Sequence, residues 1–349
     1  MLQTVYRLKN PGQGPRGIVR GQAAIPTPRA HEVLVRIHAV SLNYRDIAIA
    51  TNAYGVSIKA DVIPAGDLAG EVVSAGEAVG DFKKGDRVVS ISDQNNIYGN
   101  PATVGDSLGW GIDGGLAEYI VLPGLSLLHI PTHLSYEEAS CFPTAGVTAW
   151  NALYGGLPLI PGQTVLFQGT GGVSIFGLLI AHAAGAKACA FSLDCTIVTS
   201  SSDEKLELAK KLGADYIINY KKTPDWDKVA RELTNGRGVD HIFDNAGIND
   251  IQRSFNAVVR GGTISAIGFL GGKPKEYPDV PLLAIFSGCT LRGINVGSKQ
   301  LFENLLRFFE TKELKPYIDK VFPFDEAVEA FEYLESGQHV GKVVVRITG

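Results

Sequence analysis

The stretch Thr164-Val165-Leu166-Phe167-Gln168-Gly169-Thr170-Gly171-Gly172-Val173-Ser174 carries an apolar run into a glycine turn, and helical pattern continues from Ser174 to Ala184. A buried strand that turns through glycines into a helix leaves backbone N–H groups unpaired beside the positive end of a helix dipole. That combination suits a diphosphate. The third glycine of the G-x-G-x-x-G fingerprint falls on Ser174, so the turn by itself also fits an ordinary strand-to-helix connection. Its surroundings favour the first reading. A second apolar run, Thr196 to Thr199, leads through Ser200 to Lys205 into the amphipathic segment Leu206 to Leu212, and further strands are predicted at Tyr216–Asn219, Val239–Asp244 and Thr263–Gly268. Strands alternating with helices in this way predict an α/β fold with a doubly wound parallel sheet.

At 349 residues the chain has room for two domains, each with its own core. Its formal net charge is −4, with acids and bases mixed along the chain, which argues against nucleic acid or an anionic membrane as partner. Apolar stretches are broken by Gly, His or charge before reaching the roughly 20 residues of a membrane span. The N-terminal segment, with Arg7, Lys9, Pro11 and Gly12, lacks an apolar signal core. A soluble cytoplasmic protein with a small-molecule substrate is expected. Cys141, Cys189, Cys195 and Cys289 show no C-x-x-C spacing and read as thiols in a reducing compartment.

Residues 1 to about 125 differ in texture from the middle of the chain. Short β runs at Glu32–Ala39, Gly70–Ser74, Arg87–Ile91 and Leu116–Leu122 are separated by Gly, Pro and Asp turns, as in Gly80 to Asp86. The nucleotide block then spans 126–296. Two amphipathic helices follow, Lys299–Glu310 and Phe324–Ser336, and a last strand, Gly341–Ile347, is expected to return to the first domain.

The ordered motifs Ser41-Leu42-Asn43-Tyr44-Arg45-Asp46, Ala65-Gly66-Asp67-Leu68-Ala69-Gly70, Gly114-Gly115-Leu116-Ala117-Glu118-Tyr119, the glycine turn, and Gly341-Lys342-Val343-Val344-Val345 together resemble the medium-chain dehydrogenase/reductase superfamily. The similarity is greatest to its zinc-free quinone-reductase-like and alcohol-dehydrogenase-like members. The resemblance implies a GroES-like catalytic domain formed by both chain ends (1–125 and 297–349), a Rossmann domain (126–296), an active site in the cleft, and a homodimer pairing through the nucleotide domains. It also implies where a catalytic zinc would sit: the metal positions of the zinc alcohol dehydrogenases fall on Asn43, Asp67, Leu68 and Cys141. One thiol with a carboxylate and an amide is a poor zinc set, and residues 93–113 contain no Cys for a structural zinc lobe, so no metal is expected. Cys141 then reads as a small wall residue beside the cofactor.

Without a Lewis acid to activate an alcohol, hydride delivery to an electron-poor carbon is the favoured chemistry. The expectation is a zinc-independent, NADPH-dependent reductase of an activated double bond (enone, enal or enoyl) or a quinone. The alternatives are an alcohol or aldehyde dehydrogenase of the same superfamily and a non-catalytic NADPH-binding structural or regulatory relative. Tyr54 lies eleven residues after Asn43, the offset at which similar reductases place an active-site Tyr, and could donate to the substrate oxygen; a loop-packing role fits it equally. Asn43 could hold a carboxamide or carbonyl, or simply end a strand. Arg45 could steady an anionic intermediate, or pair with Asp46 or Asp67, or clamp a phosphate. Asp67 is expected to be that arginine's partner.

For the cofactor, the turn supplies Gly169, Thr170, Gly171, Gly172 and Val173. Thr144 and Thr148 start a helix where the nicotinamide of similar proteins lies, although helix capping would also explain them. An NAD site ends its second strand with an acid that takes the ribose hydroxyls. Here Thr199 is followed by Ser200, Ser201 and Ser202, with Lys205 and Tyr220 nearby, which favours NADPH over NADH. Gly268 and Phe269 are expected against the nicotinamide. Lys342 is placed like a phosphate contact of some relatives, with a solvated lysine as the plainer reading. Residues 188–195 interrupt the interval between the turn and the ribose residue, as an inserted loop or a gene-model artefact.

Overall fold

The computed structural model describes residues 1–55, 57–99, 107–185, 195–272, 274 and 276–348. The chain forms two units, one of Met1–Val147 with Gly297–Gly349 and one of Thr148–Val296. The first leg of the first unit contains β1 (Leu2–Leu8), β2 (Ile18–Ala24), β3 (Glu32–Leu42), β4 (Asp67–Ala75), β5 (Arg87–Ser90), β6 (Tyr119–Pro123) and β7 (Leu127–His129), with helices α1 (Tyr44–Ala50) and α2 (Tyr136–Ser140). The second unit opens with α3 (Val147–Tyr154) and continues β8 (Val165–Gln168), α4 (Gly172–Ala183), β9 (Thr196–Ser200), α5 (Asp203–Lys211), β10 (Tyr216–Asn219), α6 (Trp226–Leu233), β11 (Val239–Asp244), α7 (Ile251–Ala257), β12 (Val258–Ala266), α8 (Val280–Ser287) and β13 (Thr290–Gly293). The chain then returns to the first unit with α9 (Lys299–Thr311), β14 (Ile318–Pro323), α10 (Ala327–Glu335) and β15 (Lys342–Arg346).

The spine of the first unit is β3, whose Val33, Val35, Ile37 and Val40 are buried. Such a nearly continuous apolar run suits a strand covered on both faces. It pairs antiparallel with β4, β6 and β15. The expected return of the last strand is therefore observed, with Val343 opposite Leu42 and Val345 opposite Val40. This unit extends past the expected boundary at residue 125. The reason is pairing and packing: β7 adds to β5, Leu127 joins the same apolar core, and Ser135 and Glu138 cap α2 reciprocally at 3.1 and 2.7 Å.

In the second unit six parallel strands lie in the order β10-β9-β8-β11-β12-β13. Chain direction reverses across the sheet between β8 and β11, which is where open α/β sheets place ligands, beyond the carboxyl ends of the strands. Both the Tyr216–Asn219 and Val239–Asp244 strands appear as expected. The strand expected at Thr263 begins earlier, at Val258; its pairing with β11 starts at Val258, breaks register where Gly261 takes φ +83°, and resumes at Thr263.

The missing third glycine has a substitute one turn on. A Cβ on Gly177 would lie 2.5 Å from the Phe167 ring and 2.9 Å from the Phe243 ring, so this glycine, and not position 174, lets α4 approach β8 and β11. Phe167 and Phe243 are themselves fully buried and meet edge to face at 4.8 Å. Gly177→Val should therefore overpack this layer and cost about 1–3 kcal/mol, read as a lower urea midpoint with far-ultraviolet dichroism retained; an unchanged midpoint would contradict the packing argument.

Candidate active site

Two polar clusters form, one in each unit. In the second, Gly169 takes φ +80°, a conformation that favours glycine, and Gly171 precedes the first turn of α4. Gln168, the last residue of β8, anchors this turn to the end of β11. Its Oε1 accepts from the Asn245 and Ala246 backbone N–H groups at 3.1 and 3.0 Å, and its Nε2 donates to Ser254 Oγ at 3.1 Å. Ser174 earns its place at the third fingerprint position by bonding. Its hydroxyl donates to the Gln168 carbonyl at 2.9 Å and accepts from Asn245 Nδ2 at 3.0 Å. Behind them Asp244 accepts from Ser254 Oγ at 2.6 Å and from the Gly247 N–H at 2.7 Å. Burial pushes the Asp244 carboxyl up to about 6. Gln168, Asn245, Asp244 and Ser254 were not singled out from sequence; the available signal was a polar residue closing each of two fully buried strands.

At the end of β9, Ser200 is buried and its carbonyl accepts from the Tyr220 N–H at 3.1 Å, so these two expected residues are neighbours. Ser201 follows, Ser202 caps α5 by accepting from the Lys205 N–H at 3.4 Å, and the Tyr220 ring is exposed. The first acid after the strand, Asp203, is already engaged. Asn219 donates to it at 2.7 Å and the Lys222 ammonium pairs with it, and these bonds hold its carboxyl below the usual range. Gly268 lies just beyond β12, its N–H donating to the Asp244 carbonyl at 3.2 Å, and Phe269 beside it is exposed. Thr148 is buried in α3.

The first unit's cluster gathers residues from four distant parts of the chain. Asp67, the first residue of β4, is fully buried. Its Oδ1 accepts from the Thr144 hydroxyl at 2.6 Å, and its Oδ2 accepts from the Thr144 N–H at 3.1 Å and from Asn43 Nδ2 at 2.9 Å. Asn43 Oδ1 in turn accepts from Lys342 Nζ at 2.5 Å, and the same ammonium donates to the Leu42 carbonyl at 2.8 Å. Lys342 is only 2 % exposed, so the solvated reading is corrected: its ammonium turns inward because β15 pairs with the end of β3. The expected Arg45–Asp67 pair does not form. Arg45 donates instead to Ser92 Oγ at 3.0 Å and to the Leu108 carbonyl at 3.1 Å, while Asp67 is satisfied by Thr144 and Asn43. Thr144 lies in a π-helical turn, Phe142–Gly146, ahead of α3, and its hydroxyl is spent on Asp67. Both halves of the Asn43 amide are likewise engaged internally.

Tyr54 follows α1, half buried against the first unit's apolar core, and stacks on Trp110 with ring centroids 5.6 Å apart and 7° between planes. Burial raises its phenol above the ordinary value, and Arg45 is the neighbour that most lowers it. Arg45 and Tyr54 thus share one electrostatic environment.

The four positions implied for zinc hold an amide, a carboxyl, an apolar side chain and a thiol. Leu68 is apolar and buried, and burial pushes the Cys141 thiol up to about 12, leaving a proton on the sulfur, which donates to the Glu137 carbonyl at 3.2 Å. Asp67 and Asn43 are engaged by the bonds above. Zinc needs open, deprotonated donors, and these are committed hydrogen-bond partners. Among the described residues no group of three or more His, Cys, Asp or Glu is gathered for a metal. Of the interval 188–195, read as an insertion, residues 188–194 with Cys189 lie outside the described residues, and Cys195 is buried in the second unit.

Asp46 adds a charge that titrates. Its Oδ2 accepts from the Asn43 N–H at 2.8 Å, but Oδ1 is buried with no hydrogen-bond partner among the described residues, and burial raises the carboxyl from 3.8 to about 6. A carboxyl raised on folding contributes stability that is complete below pH 3.8 and lost as pH rises through about 6. Asp46→Asn should therefore gain about 2–3 kcal/mol relative to the parent between pH 4 and pH 7, measured by urea unfolding at both pH values; a constant difference would contradict the assignment.

Comparison with known proteins places this geometry in a family. The alcohol dehydrogenase GroES-like domain family matches residues 29–132, and the zinc-binding dehydrogenase family matches residues 172–311. A zinc-type alcohol dehydrogenase-like protein of Schizosaccharomyces pombe is 43% identical over 322 residues, covering 90% of this chain and 91% of that protein. A quinone oxidoreductase-like protein 2 homolog of Nematostella vectensis is 29% identical over 329 residues, 90% of this chain and 81% of its own. The crystal structure of a candidate alcohol dehydrogenase from Sinorhizobium meliloti 1021 superposes with a TM-score of 0.90 at 36% identity, covering 99% of both chains. With its GroES-like unit and its Rossmann-like parallel sheet, the chain belongs to the medium-chain dehydrogenase/reductase superfamily.

Proposed function

We propose that this protein is a zinc-independent reductase that uses NADPH to reduce an activated carbon–carbon double bond (enone, enal or enoyl) or a quinone. The observation that carries the reading is the closed chain Lys342–Asn43–Asp67–Thr144, which engages two of the four metal positions, Asn43 and Asp67, in hydrogen bonds. When bound, NADPH supplies the hydride. Hydride addition at the β carbon puts negative charge on the conjugated oxygen, where a guanidinium and a phenol would act. Among the described residues Arg45 bonds through two of its N–H donors, and the others would serve an oxyanion, with Tyr54 giving a proton to complete the reduction. Asn43 is better suited to positioning than to substrate contact.

NADPH is favoured by the ribose end of the second unit. Ser200, Ser201, Lys205 and Tyr220 offer hydroxyls and a cation to a 2′-phosphate, while the charge of Asp203 is offset by Lys222. The glycine turn, Gly169 to Val173, takes the diphosphate, and Gly268 and Phe269 flank the nicotinamide. Thr144, Thr148 and Lys342 are not assigned direct cofactor contacts. A homodimer through the second unit is supported by β13, the outer strand of its sheet, and by Leu282, Ile285 and Phe286, exposed on α8. None of the three described cysteines forms a disulfide, which suits the cytoplasm. Alcohol or aldehyde dehydrogenation is the second reading, favoured by the names of the S. pombe and S. meliloti relatives.

Chelator-treated protein should oxidise NADPH with enones, enals or quinones and remain inactive with ethanol and NADP⁺. Activity restricted to alcohols, or appearing only on adding zinc, would favour the second reading. Tyr54→Phe should lower kcat about 10²-fold with a smaller effect on KM; parent-like kcat would return Tyr54 to a packing role. Ser201→Asp should cut the NADPH-over-NADH preference by about tenfold or more, measured as the ratio of kcat/KM values, and an unchanged ratio would move the phosphate site elsewhere.

A further inference from the structure

We propose that Lys342 is a buried cation that acts as a positioning residue, holding Asn43 and Asp67 in a single orientation that does not fit a zinc ion. The proposal rests on the zinc-independent reading above and adds the group that makes the site work without metal. Lys342 begins β15, and the pairing of Val343 with Leu42 brings its side chain to the junction of β3 and α1. There its Nζ meets the Leu42 carbonyl at 2.8 Å and Asn43 Oδ1 at 2.5 Å, both buried from water. An ammonium carries three donors and no acceptor, so it dictates which end of the amide it meets. The amide oxygen must face Lys342, and the amide nitrogen is then left to donate to Asp67 Oδ2 at 2.9 Å. A flipped amide would set N–H against ammonium and oxygen against carboxylate.

Polarity thus runs one way, from ammonium through amide to carboxylate, which closes on the Thr144 hydroxyl and N–H. Burying a lysine is costly unless its charge is compensated. Here the compensation comes from Asp67 and Asp46, and Lys342 is the foremost charge acting on both Asp67 and Cys141. Asp67 and Lys342 are joined through Asn43 and not by direct contact. A divalent cation entering this place would have to displace the ammonium, break its two hydrogen bonds, and take the proton from the Cys141 thiol. Lys342 and zinc are therefore mutually exclusive occupants.

The test needs no turnover, so it stands apart from the reductase assay: failure of that assay would leave its result unchanged. Full-length protein would be dialysed against Zn²⁺, desalted and analysed for metal, with thermal unfolding followed at about 100 μM Zn²⁺ and with Co²⁺ used as a visible-absorption probe of thiolate ligation. The parent should retain well under one equivalent of Zn²⁺, show no shift in unfolding temperature and give no cobalt–thiolate band. Lys342→Met should unfold about 5 °C or more lower, since a buried carbonyl and amide oxygen lose their donor, and should bind Zn²⁺ at least about tenfold more tightly than the parent, the like-charge barrier having been removed. One equivalent of Zn²⁺ on the parent, with a rise in unfolding temperature that Asp67→Asn abolishes, would overturn the proposal. So would Lys342→Met unfolding at the parental temperature with no gain in zinc affinity. If Lys342→Met does not fold, the parent titration decides the question alone.

Discussion

A buried carboxylate and a buried ammonium that never touch set the terms for the first unit. Asp67 begins β4 and Lys342 begins β15, 275 positions apart in the chain, yet one amide, Asn43, bonds to both. An unpaired charge in either position would carry a desolvation penalty of several kcal/mol. The unit therefore depends on β15 docking beside β3, which delivers the cation, and on the Phe142–Gly146 turn, which delivers Thr144. Both chain ends belong to one unit for this reason as well as for the apolar core they share. In this account the same charges that the fold must neutralise also occupy the ground a metal would need.

The second unit solves a similar problem with an amide, hydroxyls and one carboxyl, and no cation. Gln168 and Asp244 close two adjacent buried strands, where backbone N–H groups beyond the strand ends need acceptors. Gln168 accepts from two of them, Asp244 from a third, and Ser174, Asn245 and Ser254 link the two strand ends. The glycine turn is thereby fixed by side-chain bonds on its protein side, which leaves the first turn of α4 as the proposed diphosphate site. Rigidity at the turn and a closed polar chain in the first unit are complementary features: the proposed reaction asks for positioning and for stabilisation of an oxyanion, and little else.

Much of this was legible from residue order. The glycine turn between an apolar run and a helix marked the nucleotide unit, and strand runs at Tyr216 and Val239 were read with their observed limits because both ends carry clear turn residues. The return of the last strand was also legible, since Gly341–Ile347 is an apolar run with no nucleotide-unit neighbour. Partner choice was not legible. Arg45 has Asp46 beside it in sequence but bonds to Ser92 and Leu108, and Lys342 reads as an ordinary surface lysine until β15 is placed against β3. The domain boundary failed for the same reason, because β7 belongs to β5 through pairing that no local pattern reports. Ser174 looked like a defect in the fingerprint, whereas the close approach it lacks is supplied by Gly177. Local periodicity reports burial, and long-range pairing decides which polar groups meet.

The central claim is conjugate hydride delivery without a metal, and isotope transfer tests it most directly. Chelator-treated protein would be given NADPH deuterated at the transferring position and an enone, and the product examined by NMR. The account predicts deuterium on the β carbon and a solvent-derived proton on the α carbon, with the carbonyl intact. Deuterium on the carbonyl carbon, or transfer only after zinc is restored, would contradict it.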